Sequence, residues 1–293
     1  MAYLIPNDYK VNIQDVNIQQ IINSDESIRD RAQLAGEAEA QSYLKQKYDI
    51  SREFQDLGVF NYTYEYSAFN RFYIDGPAFN INAEYFQGDV TLYQGIVYYC
   101  NSYDQYNVPL GNNNFTPLGK QYTIFLVKPP HPEFKYSSIY NIGDVVWFKN
   151  NIYTCKVQTS LIDHDTALQY RTYQNLPLPN VAPDDPISGF QYWGAPTLYS
   201  VTGILPTNTT VFQLIDPRDA QMVLYTCDIV LYHLHARIAP RNIPDLRVKR
   251  YDDAKEWLKM CAEGAITPNL PLIQPQQGNR IRYGGNIKQI NSY

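Results

Sequence analysis

Two stretches in the middle of the chain, offset by 55 residues, repeat each other. Gly88-Asp89-Val90 opens the first and Tyr98-Tyr99-Cys100 closes it. Gly143-Asp144-Val145 and Tyr153-Thr154-Cys155 do the same in the second, with Gly, Asp, Val, Tyr and Cys identical at five positions. Each stretch reads as a β-hairpin: a strand leaving a Gly-Asp turn, a reversal at Gln94-Gly95 or Asn150-Asn151, and a return strand ending at the cysteine. Such a repeat calls for two related β units, expected over 58–135 and 136–215.

Composition agrees with a β-rich middle. Of the 27 tyrosines, 18 lie between Ser51 and Asp216, where there are only eight Lys or Arg. Tyrosine is a large amphipathic ring favoured in strands and at interfaces. Between Phe54 and Leu214 no 3.6-residue period is sustained, and short alternating runs such as Val90 to Tyr93 and Tyr122 to Val127 are divided by Pro, Asn and Gly.

The two ends read differently. After Asp15, the run Val16 to Ile22 places Ile18, Ile21 and Ile22 on one side, and Asn23-Ser24-Asp25 offers an N-cap for a longer helix from Glu26 to about Tyr48. That helix carries Ala32, Ala35, Gly36 and Ala38, small residues that let another helix approach closely. Near the far end, Asp216-Pro217-Arg218-Asp219 signals a helix start, and Val223, Cys227, Val230, Leu231 and Leu234 continue the period to Arg237. After the break at Ala239 to Pro244, a last helix begins at Pro244 or Asp245, with Tyr251, Ala254, Trp257, Leu258 and Cys261 inward. Gly264 stands as its left-handed terminator. The expected class is α+β: a helical bundle formed by residues 1–57 and 216–272, interrupted by two small β-rich modules, with a tail over 273–293.

Several functions are disfavoured by what the chain carries. Cys100, Cys155, Cys227 and Cys261 are far apart, without a CxxC pair or zinc-ligand spacing, and read as buried thiols in a reducing cytosol. His233 and His235 lie two apart on a helix and cannot share a metal on one face. Asp163-His164-Asp165 reads as a solvated loop, and His131 stands in the stiff Pro129-Pro130-His131-Pro132 linker. No G-x-S-x-G, H-E-x-x-H or P-loop pattern occurs, so no enzyme, cofactor or metal is expected. The start MAYLIPNDYK does not read as a signal peptide, and no apolar run nears the ~20 residues of a membrane span. Charge is uneven: residues 217–293 carry a net +4 and the remainder a net −9. That asymmetry suits different partners at the two parts and is too mild for nucleic-acid binding.

Two resemblances follow from these motifs. Tyr3 to Asp8, Ser42-Tyr43-Leu44-Lys45-Gln46-Lys47-Tyr48-Asp49, Arg250 to Leu258 and Gly264-Ala265-Ile266-Thr267-Pro268 resemble, in the same order, a family of tailed-phage head-tail connector proteins. The resemblance implies a homomeric ring, usually twelve-fold, below the portal protein at the head-tail junction of the virion. It would contact other tail or ring proteins, with DNA passing through its lumen without specific binding, no membrane contact, and assembly in the host cytoplasm. The Asn- and Tyr-rich composition hints at an AT-rich genome such as that of a crAss-like phage. A long insertion departs from the ordinary family pattern. Within it, Tyr140 to Cys155 with Tyr192-Trp193 resembles the small chitin-binding carbohydrate modules of chitinases.

Accordingly Trp147 and Trp193 are candidate glycan or docking aromatics, alongside Tyr98 and Tyr153, which occupy one repeat position and suit module cores. The basic tail residues Arg280, Arg282 and Lys288 are candidate contacts to the portal or a neighbouring subunit. A carbohydrate-binding virion protein that aids adhesion is the alternative function.

Overall fold

The computed structural model describes residues 3–273 apart from 24, 106, 136–137, 161–177, 180–181, 185, 187–188 and 239–242. Its helices are α1 (Pro6–Tyr9), α2 (Asp15–Ile22), α3 (Glu26–Leu44), α4 (Ile50–Glu53), α5 (Gly189–Tyr192), α6 (Ala220–Ile238) and α7 (Asp245–Glu263). Its strands are β1 (Gly58–Val59), β2 (Arg71–Tyr73), β3 (Glu84–Tyr85), β4 (Val90–Tyr93), β5 (Ile96–Cys100), β6 (Asp104–Gln105), β7 (Phe115–Lys120), β8 (Ile124–Val127), β9 (Val145–Phe148), β10 (Asn151–Thr154), β11 (Thr159–Ser160), β12 (Leu178–Pro179), β13 (Thr197–Leu198) and β14 (Phe212–Leu214).

The expected architecture, a helical bundle of the two ends interrupted by two small modules, is corrected by these elements. Among the described residues 32% are helical and 21% lie in strands, with several small sheets, so helices do not dominate. Helices from both sides of the strand-rich region do share apolar residues, among them Ile22, Leu44, Ile229, Leu231 and Leu258. That core does not stand alone, because Ile5 of the N-terminal segment packs with Leu57 and Ile124 of the strand region.

Helix ends follow local chemistry. The Asp25 carboxylate accepts from the Ser27 amide at 3.0 Å, and Gly264 ends α7 with φ +87°. The start of α6 lies three residues later than Asp216 suggests. Asp219 is the cap, accepting from the Gln221 and Met222 amides at 2.9 and 3.0 Å, while Asp216 is engaged by the Arg218 side chain.

The main departure is a third copy of the repeated unit. In the two copies evident in the sequence, the Asp carboxylate of the Gly-Asp turn accepts from the amide three residues earlier, Phe86 to Asp89 and Asn141 to Asp144, both at 2.7 Å. Ser67 to Asn70 makes the same bond at 2.7 Å. The Tyr85 and Tyr140 hydroxyls accept from the Asn80 and Lys135 amides at 2.8 and 2.7 Å, and the Tyr66 hydroxyl accepts from Asn61 at 2.8 Å. Ring pairs Phe79–Tyr85, Phe134–Tyr140 and Phe60–Tyr66 are stacked in all three. Return strands answer each turn alike: Cys100 to Asp89, Cys155 to Asp144 and Val127 to Asn70, amide to carbonyl, at 2.8, 2.8 and 2.9 Å. A third-strand aromatic then faces each of them, Phe115 opposite Cys100, Trp193 opposite Cys155 and Phe212 opposite Val127.

The third copy is a split host. Its hairpin strands β2 and β8 are separated in sequence by the first copy, and β8 is separated from β14 by the second. Its sheet therefore runs β1-β2-β8-β14, while the inserted copies keep sheets β4-β5-β7 and β13-β10-β9. In both inserted hairpins the reversal uses two residues at positive φ, as a tight right-twisted hairpin requires. These are Gln94-Gly95 as expected and Lys149-Asn150, one residue earlier than expected.

The two inserts are joined to the host differently. Val97, Tyr99 and Leu118 of the first copy lie in one apolar core with Phe60, Phe72 and Phe212 of the host. The second copy has a core of its own, around Phe134, Tyr140, Phe148 and Trp193. Replacing residues 132–198 by a short Gly-Ser linker should thus leave the far-UV circular dichroism of the remainder and a cooperative melt. Replacing residues 77–120 should abolish that melt, since it strips the host of buried side chains worth roughly 1.5–3 kcal/mol each. Equal melting behaviour of the two deletions would contradict this division.

Candidate functional site

The aromatic residues singled out in the sequence are covered. Trp193 occupies the third-strand position of the second copy, fully buried at 5.6 Å from Phe134 and 5.3 Å from Tyr140, ring to ring. Tyr98 and Tyr153 fill the cores of their own copies. Trp147 is 8% exposed, with Phe69 of the host 4.9 Å away at a steep angle. Stacking on a sugar needs an open ring face, and neither tryptophan offers one. The Trp147 ring instead meets a host residue, Phe69.

The Trp147 contact belongs to a larger junction. The Arg52 guanidinium, at the end of α4, lies 4.1 Å from the Phe69 ring centre and donates to both carboxylate oxygens of Glu133 at 2.9 and 3.0 Å. Asp49 caps α4 by accepting from the Arg52 amide, which fixes where that side chain starts. Sequence patterns point to none of these partners, because the contact joins three separate segments.

Open aromatic surface lies on the first copy instead. Phe86 and Tyr103 are 55% and 52% exposed and 5.5 Å apart, ring to ring. The equivalent pair in the second copy is Asn141 and Gln158, joined by an amide hydrogen bond of 3.2 Å. The fold thus tolerates a polar pair at this place. Next to Phe86, a cleft of about 520 Å³ runs between host and first copy, lined by Asn61, Tyr62 and Thr63 on one side and Gln87 and Tyr99 on the other, with no charged side chain in its walls. The signal that locates these positions is the spacing Phe-x5-Tyr-x3-Asn/Asp, which occurs at Phe60, Phe79 and Phe134.

Remaining candidates are accounted for locally. His233 is 2.7 Å from the Glu39 carboxylate and His235 is 2.7 Å from the Leu231 carbonyl, so they serve different neighbours. All four cysteines are free and buried, and burial pushes the Cys227 thiol up to about 12 and the Cys261 thiol up to about 11. Thiols held so strongly protonated are poor nucleophiles at neutral pH. Among the described residues no three His, Cys, Asp or Glu side chains converge as metal ligands, and no helix is long and apolar enough to cross a membrane. Asp163-His164-Asp165 and the tail residues Arg280, Arg282 and Lys288 lie outside the described residues.

A buried polar clamp organises the N-terminal segment. Arg218, with its side chain 1% exposed, donates to the Asp8 and Asp216 carboxylates and to the Tyr3 carbonyl. Burial alone would lower its pKa, but hydrogen bonds to the two carboxylates outweigh it and raise it. Glu53 accepts from the Tyr3 hydroxyl at 2.8 Å and pairs with Arg71 at 3.2 Å. The Glu37 carboxylate accepts from the Tyr3 and Leu4 amides and from Gln33. Burial raises the Glu37 and Glu53 carboxyls above the usual glutamate range despite these donors.

No protein-family model and no curated protein matches this chain.

The raised Glu37 pKa has a definite sign in stability. A folded-state pKa above the unfolded one favours folding fully below the unfolded value, ~4.3, and that advantage is lost as pH rises through the folded value. Glu37→Gln keeps an acceptor oxygen and removes the titration. Its stability relative to wild type should therefore rise from pH 4 to pH 7 in urea melts. A flat or falling difference would contradict the raised pKa.

Proposed function

We propose that this chain is a non-enzymatic structural protein of a tailed-phage particle, assembling as a homomeric ring at the head-tail junction between portal and tail. The observation that carries this reading is the meeting of the motifs on which the connector resemblance rests, although they lie at opposite ends of the sequence. Tyr48 bridges to Leu272 through the backbone, and its hydroxyl is 3.5 Å from the Cys261 carbonyl. Asp8 of the opening element is held by Arg218. Tyr43, Leu44 and Tyr48 pack in one core with Trp257, Leu258 and Ile266. Heterologous contacts between copies close a ring when the rotation between neighbours allows it, usually twelve-fold in the resembled family. DNA then passes through the lumen without being gripped, because phosphate binding needs clustered Lys and Arg, whereas residues 1–216 carry a net −9. The basic tail with Arg280, Arg282 and Lys288 serves in this reading as the contact to the portal or the next subunit. Sedimentation velocity and negative-stain images of the purified chain, alone and with its portal protein, test the proposal. Closed rings are expected, and a chain that stays monomeric and does not join the portal overturns it.

A second reading, glycan adhesion, is favoured by one observation: the exposed Phe86–Tyr103 pair, with an uncharged cleft lined in part by the adjacent Gln87. Between Pro77 and Lys120 there are seven asparagines and three glutamines against four charged residues, a surface suited to hydroxyl groups. On a glycan array or insoluble polysaccharide, retention should be lost with Phe86→Ala or Tyr103→Ala and kept with Trp193→Phe. Absence of retention for the wild-type chain removes this reading and leaves the ring untouched.

A further inference from the structure

We infer that Phe69 is a latch residue, holding the second copy docked on the host, and that this copy swings about its proline linker when the latch opens. The first ground is backbone strain. At the equivalent place the inserted copies have Gly88 and Gly143, at φ +104° and +91°, whereas the host has a phenylalanine at φ +64°. A bulky L residue in the left-handed region is unfavourable and persists where its side chain has a task. Phe69 is only partly buried and is absent from every apolar core, so filling an interior is not that task. Its ring lies instead between Arg52 and Trp147.

The second ground is how little else holds the second copy. Its core residues all come from its own segment, and among the described residues its strands β9, β10 and β13 pair with one another and, through the Trp147 bridge, with Glu133 of the same segment. The connections are Lys128 to Pro132, stiffened by Pro129, Pro130 and Pro132, and the step from Leu198 to Tyr199. Across the junction stand the Arg52–Glu133 pair, with side chains 32% and 24% exposed, and a hydrogen bond from the Tyr199 amide to the Asn150 carbonyl at 3.1 Å. The first copy is built otherwise, interlocked with the host in a common core.

The third ground is the indole of Trp147, whose Nε1 is buried without a hydrogen-bond partner among the described residues. Docking leaves that donor unsatisfied, and undocking lets water reach it, which narrows the gap between the two positions. The chain thus carries a self-contained module, a stiff pivot and a contact that is strained on one side and unsatisfied on the other. An open latch would uncover the Phe69 and Trp147 rings together.

The test uses the full chain labelled with 5-fluorotryptophan, the Trp147 resonance being assigned by its loss in Trp147→Phe. Broadening of each fluorine signal by a free nitroxide reports solvent access. Phe69→Gly removes the latch and suits the backbone, so its melting temperature should equal or exceed that of the wild type. Broadening at Trp147 should rise by roughly tenfold, the factor expected from losing a cation–π contact and weakening a partly exposed ion pair. Trp193 and Trp257 should not change. Arg52→Ala, which leaves the host backbone alone, should shift Trp147 in the same direction. Trp147 remaining as shielded as in the wild type in both variants overturns the inference. So does a lowered melting temperature of Phe69→Gly with broadening at Trp193, because Phe69 would then be an ordinary packing residue.

Discussion

Arg218 is the group on which the assembly of this chain most depends. Its guanidinium is out of water and faces two carboxylates and a main-chain carbonyl from the opening segment. A charge so placed is tolerable only when its partners are complete, and removing one partner of such a set commonly destabilises by ~3–5 kcal/mol. Through Tyr3 the same set continues to Glu53 and Arg71, so the opening residues, α4 and strand β2 share one polar network. Helices and strands are joined by paired charge as well as by apolar contact. This is why a helical bundle merely interrupted by two β modules misdescribes the chain.

Much of the local structure was readable from residue order. The start of α3 at Glu26, the left-handed Gly264 and the hairpins at the repeated Gly-Asp turns follow from caps, glycine and alternation, which act within a few residues, whereas α3 ends at Leu44, short of the expected Tyr48. Residue type alone does not decide the start of α6, because Asp216 and Asp219 are equally good caps. What separated them was Arg218, whose side chain claims Asp216. The third copy was hidden for two physical reasons. Its strands meet only across inserted segments, and at its turn Phe69 and Asn70 replace the Gly-Asp pair that makes the other copies visible.

Placement of the candidate site was less legible, because exposure is a property of packing. Trp147 and Trp193 are prominent as letters, yet one is an interior ring and the other faces a neighbouring module. Phe86 and Tyr103 become conspicuous only when their positions are compared with Asn141 and Gln158 on the same scaffold. Three versions of one unit in one chain act as internal controls. Features common to all three, the stacked Phe–Tyr pair and the side-chain-capped turn, are what the unit needs to fold, and a feature restricted to one copy needs another explanation.

The nesting also bears on the order in which the chain can fold. Closing a long loop carries an entropic penalty that grows with the logarithm of its length, and the host sheet must bring β2 to β8 and β8 to β14 across whole modules. A segment that has already collapsed into a unit whose ends lie close together spans the gap as a short rigid bridge. The β4–β5 and β9–β10 hairpins join neighbouring strands through local turns, so they are suited to form early. The entropic penalty on the host sheet is therefore smallest when those hairpins are already in place as it closes.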